Sequence, residues 1–229
     1  MSRLAELAAE WAIPPDGVAA IEHLLELLQR DDTAPTTVRE PGQAINAHVA
    51  DALTGLAVPE LQGSVADIGA GAGIPGLVLA AARPALQVTE IESLGRKCAF
   101  LEAAIGAMGL RNARVLCARA EEVTETFDVV TARAVAPLPV LVEYAAPLLG
   151  EGGALIAWKG TPEAPEIADG EHAAALLGCA PARVVPVPAF SGADRRNLYV
   201  YLKVRSHPNH YPRRAGMARK RPITVSTRA

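Results

Sequence analysis

Apolar residues follow two different patterns along the chain, and the change occurs near Gly63. Over residues 15–30 they recur at helical spacing, which predicts an amphipathic helix. A stretch rich in Thr and Pro, residues 31–42, interrupts this spacing, and a second helix is predicted over residues 43–56. We therefore assign residues 1–62 to an N-terminal helical extension.

After Gly63, short apolar segments alternate with helical ones. Helices are predicted over residues 77–82, 94–108, 140–149 and 163–177, and strands over residues 64–68, 86–91, 114–118, 127–132, 153–159, 182–188 and 197–204, the last two joined at a Ser191-Gly192 turn. Alternating strands and helices form a mostly parallel sheet with right-handed crossovers. The sequence therefore predicts an α/β domain with a seven-stranded sheet over residues 63–204.

Composition narrows the class of protein. Half of the residues are hydrophobic and 21% are charged, which excludes a wholly disordered chain. The apolar runs fall far short of the ~18 residues that a membrane span needs, and acidic residues interrupt the start of the chain, so we expect a soluble, cytoplasmic protein. The three cysteines are widely spaced without a C-x-x-C pair, so we expect small buried side chains and neither a disulfide framework nor a metal site.

Basic residues are concentrated at the C terminus. Residues 203–229 contain eight basic and no acidic side chains, whereas the rest of the chain contains 14 basic and 25 acidic ones. We expect residues 205–229 to form a flexible basic tail. Such a tail can bind a polyanion or simply keep the protein soluble, and the sequence leaves both functions open.

The most informative segment is the glycine-rich turn after the first predicted strand, residues 67–76 (DIGAGAGIPG). From Gly71 to Gly76 it matches the dinucleotide-binding pattern G-x-G-x-x-G, and Glu92 follows at about the distance expected for a ribose-binding acid. From Asp67 onwards it resembles the first motif of class I methyltransferases, which bind S-adenosylmethionine at the same position of the sheet. Both interpretations therefore place a nucleoside-containing cofactor here.

Three features favour the methyl donor. The dinucleotide pattern contains no acid at the position of Asp67. S-adenosylmethionine has no pyrophosphate, so a helix N terminus blocked by Pro75 loses less as a binding site. The predicted last strands also resemble the reversed last strand of the methyltransferase sheet. The cofactor contacts predicted from this register are Asp67, Gly69, Gly71 and Gly73.

Two later segments are candidates for the rest of the cofactor. Glu92 ends the second strand, where its carboxylate can accept both ribose hydroxyls. Glu90 shares the same strand face, which leaves the choice between the two acids open. The loop after the third strand, residues 117–122, is expected beside the adenine.

The chain resembles the RsmG (GidB) family over about residues 15–204. The resemblance rests on the order and spacing of residues 67–76 (DIGAGAGIPG), 93–97 (SLGRK), 127–134 (FDVVTARA) and 158–160 (WKG). It implies a class I, Rossmann-like methyltransferase fold. It also implies transfer of a methyl group from S-adenosylmethionine to N7 of a specific guanine in small-subunit (16S) ribosomal RNA.

The resemblance further implies roles for particular residues. Cofactor contacts are implied at Gly69, Ile74, Ala120, Glu121 and Arg133. His48 and Asp51 match the family's His-x-x-Asp, for which substrate contact and attachment of the extension both remain open. The implied partner is 16S ribosomal RNA or the small ribosomal subunit, and we expect a monomer with no metal ion and no membrane contact.

Methylation of guanine N7 needs no general base, because this atom carries an unprotonated in-plane lone pair. We expect Arg133, at the end of the fourth strand, to position the reactants through bidentate hydrogen bonds. Lys159 is a candidate phosphate contact, and further RNA contacts are predicted at Arg195, Arg196, Arg213, Arg214, Lys220 and Arg221. Deletion of the tail is expected to weaken RNA binding and to spare cofactor binding.

Other functions remain as alternatives. The second interpretation is a methyltransferase that acts on a small molecule or on another RNA. An NAD-binding oxidoreductase is the third, and a non-catalytic RNA-binding module is the fourth.

Overall fold

The elements of the fold follow the predicted alternation of strands and helices in a computed structural model that describes residues 2–188, 190 and 195–226. The strands are β1 (Ser64–Ile68), β2 (Gln87–Glu92), β3 (Ala113–Cys117), β4 (Phe127–Arg133), β5 (Leu149–Lys159), β6 (Arg183–Pro186) and β7 (Asn197–Leu202). The α-helices are α1 (Arg3–Glu10), α2 (Pro15–Arg30), α3 (Pro41–Ala44), α4 (Asp51–Leu53), α5 (Gly76–Ala82), α6 (Gly95–Met108), α7 (Leu138–Ala145), α8 (Ala164–Leu176) and α9 (Met217–Lys220).

The seven strands form one sheet in the order β3-β2-β1-β4-β5-β7-β6. Strand β7 is antiparallel to both neighbours, and the other strands run in one direction. Helices cover both faces, so a central strand such as β1 is apolar on both sides, with Val65, Ala66 and Ile68 at most 1% exposed. The predicted α/β class and strand number are confirmed. The predicted Ser191-Gly192 turn lies outside the described residues.

The N-terminal extension packs on the helices that flank the sheet. Helix α2 contacts α5 and α6. The approach is close at Gly17, where a Cβ atom would lie 2.2 Å from the carbonyl oxygen of Ala81. This contact ties the extension to the helix that follows the glycine-rich turn.

The second predicted helix is not one continuous α-helix. Helix α3 passes into a π-helical segment, Ile45–Ala50, then into α4, and a 3-10 segment, Thr54–Ala57, ends the run. The indole Nε1 of Trp158 donates to the carbonyl oxygen of Asp51 at 2.8 Å and fixes this run to the end of β5. Apolar spacing does not show such a change of helix type.

The C-terminal tail lies against the domain as far as Val225, whose backbone nitrogen donates to Asp169, and this differs from the predicted flexible tail. Ala218 and Ile223 are each 1% exposed. Arg213 donates through Nε to Glu143 Oε1 at 2.6 Å and through Nη2 to Oε2 of the same carboxylate. Two buried apolar side chains and a buried ion pair therefore hold the tail against the domain, although its basic charge predicted a solvated segment.

Cys98 and Cys117 form a disulfide, which corrects the prediction of unpaired cysteines. Cys98 lies on α6 and Cys117 ends β3, and their Cα atoms are 5.8 Å apart. They are 19 positions apart, and the chain between them runs along α6, turns and returns along β3, so the pairing is not visible in the spacing. Cys179 is buried with a free thiol, as expected. No helix among the described residues is long and apolar enough to cross a membrane.

Candidate active site

A pocket of about 440 Å³ opens at the carboxyl ends of the central strands, where ligands bind in open α/β sheets. We call it the first pocket. Its walls come from the ends of β1, β2 and β4, from the loop after β3 and from the tail. The lining residues used below are Gly69, Glu92, Ala120, Glu121, Ala134, Gly216 and Arg219.

Glu92 is fixed on the wall of the first pocket by backbone N–H groups. Its Oε1 accepts from the backbone nitrogens of Ser93 at 2.7 Å and Leu94 at 3.0 Å. Its Oε2 accepts from the nitrogen of Gly71 at 3.2 Å and lies 3.7 Å from Lys97 Nζ. The turn after β2 and the glycine-rich turn therefore orient one carboxylate toward the pocket.

The glycine-rich turn contributes Ile68 and Gly69 to the pocket lining, and its later glycines shape the turn itself. Gly69 has a φ of 65°. A Cβ on it would lie 2.9 Å from a Val135 methyl group, so both the backbone and the space require glycine. Gly71, Gly73 and Ile74, which the sequence predicts as cofactor contacts, are not among the described residues that line this pocket.

Asp67 lies beneath the turn and is 1% exposed, so it supports the turn from below. Its Oδ2 accepts from the backbone nitrogen of Gly76 at 3.1 Å, and its Oδ1 accepts from Thr131 Oγ1 at 2.7 Å. The first bond occupies an N–H at the start of α5. This position differs from the predicted cofactor contact, because the side chain does not reach the pocket.

Glu90 lies next to Asp67 in the interior, and this environment distinguishes Glu90 from Glu92. Neither of its carboxyl oxygens has a hydrogen-bond partner within the described chain. Burial and the neighbouring Asp67 raise the pKa of Glu90 well above its ordinary value, and burial raises the pKa of Asp67 to about 6. Of the two acids of β2, Glu92 is therefore the one that lines the first pocket.

A second pocket, of about 380 Å³, lies on the other side of the β4 end. Its lining includes Ala47, His48, Arg133, Trp158, Lys159 and Arg196. Ala134 belongs to the lining of both pockets and has a φ of 57°, which is unusual for a residue other than glycine. Strained backbone of this kind is concentrated at functional sites. The two pockets therefore meet at Ala134.

Arg133 lies in the second pocket and bonds to the N-terminal extension. Its Nη1 donates to Asp51 Oδ2 and to the carbonyl oxygen of Ala47, both at 2.7 Å. Its Nη2 lies 3.2 Å from His48 Nδ1. Arg133 is not among the described residues of the first pocket, so its contact with the cofactor stays a prediction.

His48 is held as a neutral ring. Because a guanidinium can only donate, Nδ1 accepts from Arg133 and Nε2 carries the proton, 3.2 Å from the carbonyl oxygen of Val38. Burial and the charge of Arg133 lower the pKa of His48. The ring therefore orients Arg133 without adding charge to the pocket.

The other predicted RNA contacts fall into three groups. Lys159 lines the second pocket with its Nζ 2.6 Å from Glu166 Oε1, and Arg196 lines it while bound to Asp51. The exposed cations are Arg195, Arg214, Lys220 and Arg221. Arg213 is bound to the buried Glu143, so it fixes the tail and is the predicted contact least available to RNA.

The tail also contributes to the first pocket, which the sequence analysis missed. The backbone nitrogen of Gly216 donates to Glu121 Oε1 at 2.8 Å, and Arg219 Nη2 donates to the carbonyl oxygen of Val135 at 2.9 Å. Both tail residues line the pocket. The apolar Ala218 and Ile223 within a basic segment were the available signal that the tail docks. Deletion of the tail is therefore no longer expected to spare cofactor binding.

The strand order with one reversed strand, and a pocket at the carboxyl ends of the parallel strands, are those of the class I methyltransferase fold. The S-adenosylmethionine-dependent methyltransferase SibL has a similar fold, with a TM-score of 0.59, 16% identity and coverage of 83% of this chain and 70% of that chain. Fibrillarin from Aeropyrum pernix, bound to S-adenosyl-L-methionine, matches with a TM-score of 0.51, 18% identity and coverage of 67% and 73%.

Sequence comparison gives the particular family. The family described as rRNA small subunit methyltransferase G matches residues 19–198. A protein of that name from Rubrobacter xylanophilus is 41% identical over 81% of this chain and 75% of its own length. The protein of the same name from Symbiobacterium thermophilum is 38% identical over 96% and 95%. The chain belongs to the small-subunit ribosomal RNA methyltransferase G family, which confirms the predicted family.

Proposed function

We propose that the protein transfers a methyl group from S-adenosylmethionine to N7 of a specific guanine in small-subunit (16S) ribosomal RNA. The observation that carries the proposal is the meeting of two pockets at Ala134 in a member of this family. The first pocket would hold the donor and the second the acceptor nucleotide. A methyl group could then pass between them over the short backbone segment that they share.

The residues of the first pocket fit the donor. An ionised carboxylate accepts hydrogen bonds only, so Glu92 suits the two hydroxyls of a ribose. Ala120 and Glu121 form the wall where we place the adenine. A volume of about 440 Å³ suits a ligand of this size.

One contact favours the methyl donor over a dinucleotide. A pyrophosphate would need free N–H groups at the start of the helix after the glycine-rich turn. Asp67 already accepts from the N–H of Gly76 there, and its carboxylate would repel a phosphate. The same contact does not oppose a ligand that lacks phosphate.

The bound donor supplies a methyl group on a positively charged sulfur. Guanine N7 has a free lone pair, so the chain has to orient the base and needs no proton acceptor. Transfer moves positive charge onto the guanine ring, which additional cations beside the ring would oppose. In the second pocket Arg133 and Arg196 share the carboxylate of Asp51, and Lys159 is paired with Glu166, so much of this positive charge is offset.

The exposed cations would bind the rest of the RNA. Arg214, Lys220 and Arg221 lie on the tail that borders the first pocket, and Arg195 precedes Arg196 at the second. We expect phosphate contacts at these residues and binding that weakens strongly with salt. We also propose that the protein acts as a monomer without a metal ion, in the cytoplasm where small subunits are found.

The test is methyl transfer from labelled S-adenosylmethionine to small ribosomal subunits that lack the modification, followed by cleavage specific for N7-methylguanine. Label at a single guanine supports the reaction, the atom and the acceptor together. A Glu92→Ala variant is the control and should transfer no label. Cofactor binding without transfer to subunits or to free ribosomal RNA would contradict the proposed acceptor and favour a methyltransferase of another substrate.

A further inference from the structure

Asp51 is a buried acid that connects two parts of the second pocket. It is 1% exposed, and each of its carboxylate oxygens binds a different arginine. Oδ2 lies 2.7 Å from Arg133 Nη1, and Oδ1 lies 2.7 Å from Arg196 Nε. Arg133 ends β4 and Arg196 precedes β7, so an acid from the N-terminal extension sets the positions of two arginines from the sheet.

The charge of this cluster does not balance. Burial and Arg133 lower the pKa of His48, which leaves that ring neutral, and Glu166 pairs with Lys159. Asp51 therefore faces two guanidinium groups with one negative charge. Their side chains are 15% and 26% exposed, so water screens the excess positive charge only partly.

Both arginines keep donors for a ligand. A guanidinium has five N–H donors in a planar fork. Among the described residues Arg196 donates through Nε to Asp51, which leaves its two terminal nitrogens, and both side chains line the same pocket. Two guanidiniums held in fixed positions with spare donors suit the tetrahedral oxygens of a phosphate.

We propose that Asp51 is a positioning residue that holds Arg133 and Arg196 as a pair to bind one backbone phosphate of the RNA acceptor. This inference rests on the proposed function for the identity of the acceptor. Asp51 itself would not touch the RNA, because its carboxylate is buried behind both arginines. Its effect would be to place the phosphate, and through it the base, relative to Ala134, where the two pockets meet.

Replacement of Asp51 by Asn distinguishes a role in positioning the arginines from an effect of the Asp51 charge on RNA binding. The substitution removes a negative charge beside an RNA-binding pocket, so Coulomb attraction alone predicts tighter binding. Loss of a positioning residue predicts weaker binding, because the two arginines repel each other and leave their places. The backbone oxygen of Asp51 still accepts from Trp158, so the attachment of the extension is retained.

The experiment measures two quantities for the full-length protein. The first is the affinity for a fluorescent single-stranded RNA oligonucleotide that contains one guanine, and the second is kcat and KM for unmodified small subunits. Asp32→Asn is the matched control, since it removes an exposed acid from the same extension. We expect D51N to weaken oligonucleotide binding and lower kcat/KM by about tenfold or more, and D32N to leave both unchanged or to tighten binding slightly. Cofactor affinity should be unchanged in D32N.

A double variant tests whether Asp51 acts through the arginines. Arg196→Ala alone should weaken oligonucleotide binding about as much as D51N does. The double variant should bind at most about threefold more weakly than D51N alone, because both substitutions disrupt the same pair of arginines. Oligonucleotide binding by D51N equal to or tighter than that of the unaltered protein would overturn the proposal, as would fully additive losses.

Two further readouts keep the inference separate from folding and from the proposed function. If D51N does not fold, Arg196→Lys keeps the charge but loses the Nε donor, and unchanged oligonucleotide binding in that variant would overturn the proposal. If the unaltered protein does not methylate subunits, the proposed acceptor fails, while the order of oligonucleotide affinities still decides the role of Asp51.

Discussion

The disulfide between Cys98 and Cys117 joins two walls of the first pocket. Lys97, just before Cys98, and Ala118, just after Cys117, both line that pocket. Reduction, or the double substitution Cys98→Ser with Cys117→Ser, removes the link between α6 and the end of β3. We expect a less stable protein with weaker cofactor binding, because both walls gain freedom that binding must then restrict.

The size of the stability change follows from the length of the closed loop. The two cysteines are 19 residues apart. The chain-entropy relation gives about 3 kcal/mol for a loop of this length. In a protein of this size 1 kcal/mol corresponds to about 2–4 °C in Tm, so reduction should lower Tm by roughly 6–12 °C.

Urea unfolding of the oxidised and reduced protein measures the difference directly. Thiol titration under denaturing, non-reducing conditions gives the matching count, with one thiol expected in the oxidised protein and three in the reduced protein. Cys179→Ser is the control, since it should not change the difference in free energy of unfolding between the oxidised and reduced protein. Three free thiols under oxidising conditions, or a difference in free energy of unfolding well below about 1 kcal/mol, would refute stabilisation by this disulfide.

Three further outcomes are expected. Glu92→Gln should raise the Kd for S-adenosylmethionine by about tenfold or more in calorimetry, because an amide cannot accept both hydroxyls, and an unchanged Kd would contradict this role. Deletion of residues 206–229 should weaken cofactor binding and lower Tm, since tail residues line the first pocket and Ala218 and Ile223 are buried; unaltered cofactor affinity would show that the tail is not part of the site. Burial raises the pKa of Glu90 well above its ordinary value and the pKa of Asp67 to about 6, so the native protein binds more protons than the unfolded chain and becomes less stable as pH rises above about 4. Glu90→Gln should therefore stabilise the protein by about 1 kcal/mol or more at pH 8 and by less at pH 5, and an equal gain at both in urea unfolding would argue against a buried charge.

The parts of the fold that local sequence determines were predictable. Strand β1 coincides with the predicted residues 64–68, and the predicted helix 94–108 begins one residue later at Gly95. Both depend on apolar spacing and on turn residues within a few positions. The glycine-rich turn was equally visible, because its φ values and close contacts require glycine at fixed intervals.

The missed features depend on residues far apart in the chain. Asp51 and Arg133 are separated by 82 positions, and Glu121 and Gly216 by 95. Residue type indicates that such side chains need a partner, but not which partner the fold supplies. The Cys98–Cys117 pair was missed for the same reason.

The two additions to the methyltransferase domain flank opposite pockets. The extension supplies Asp51 to the second pocket, and the tail supplies Gly216 and Arg219 to the first. Because the pockets meet at Ala134, a shift in either addition would change the distance between the donor and the acceptor that we propose for them. A transfer that needs orientation rather than a proton acceptor is sensitive to such a shift. We therefore expect substitutions in the extension to act on kcat/KM for RNA, and substitutions in the tail to act on cofactor affinity as well.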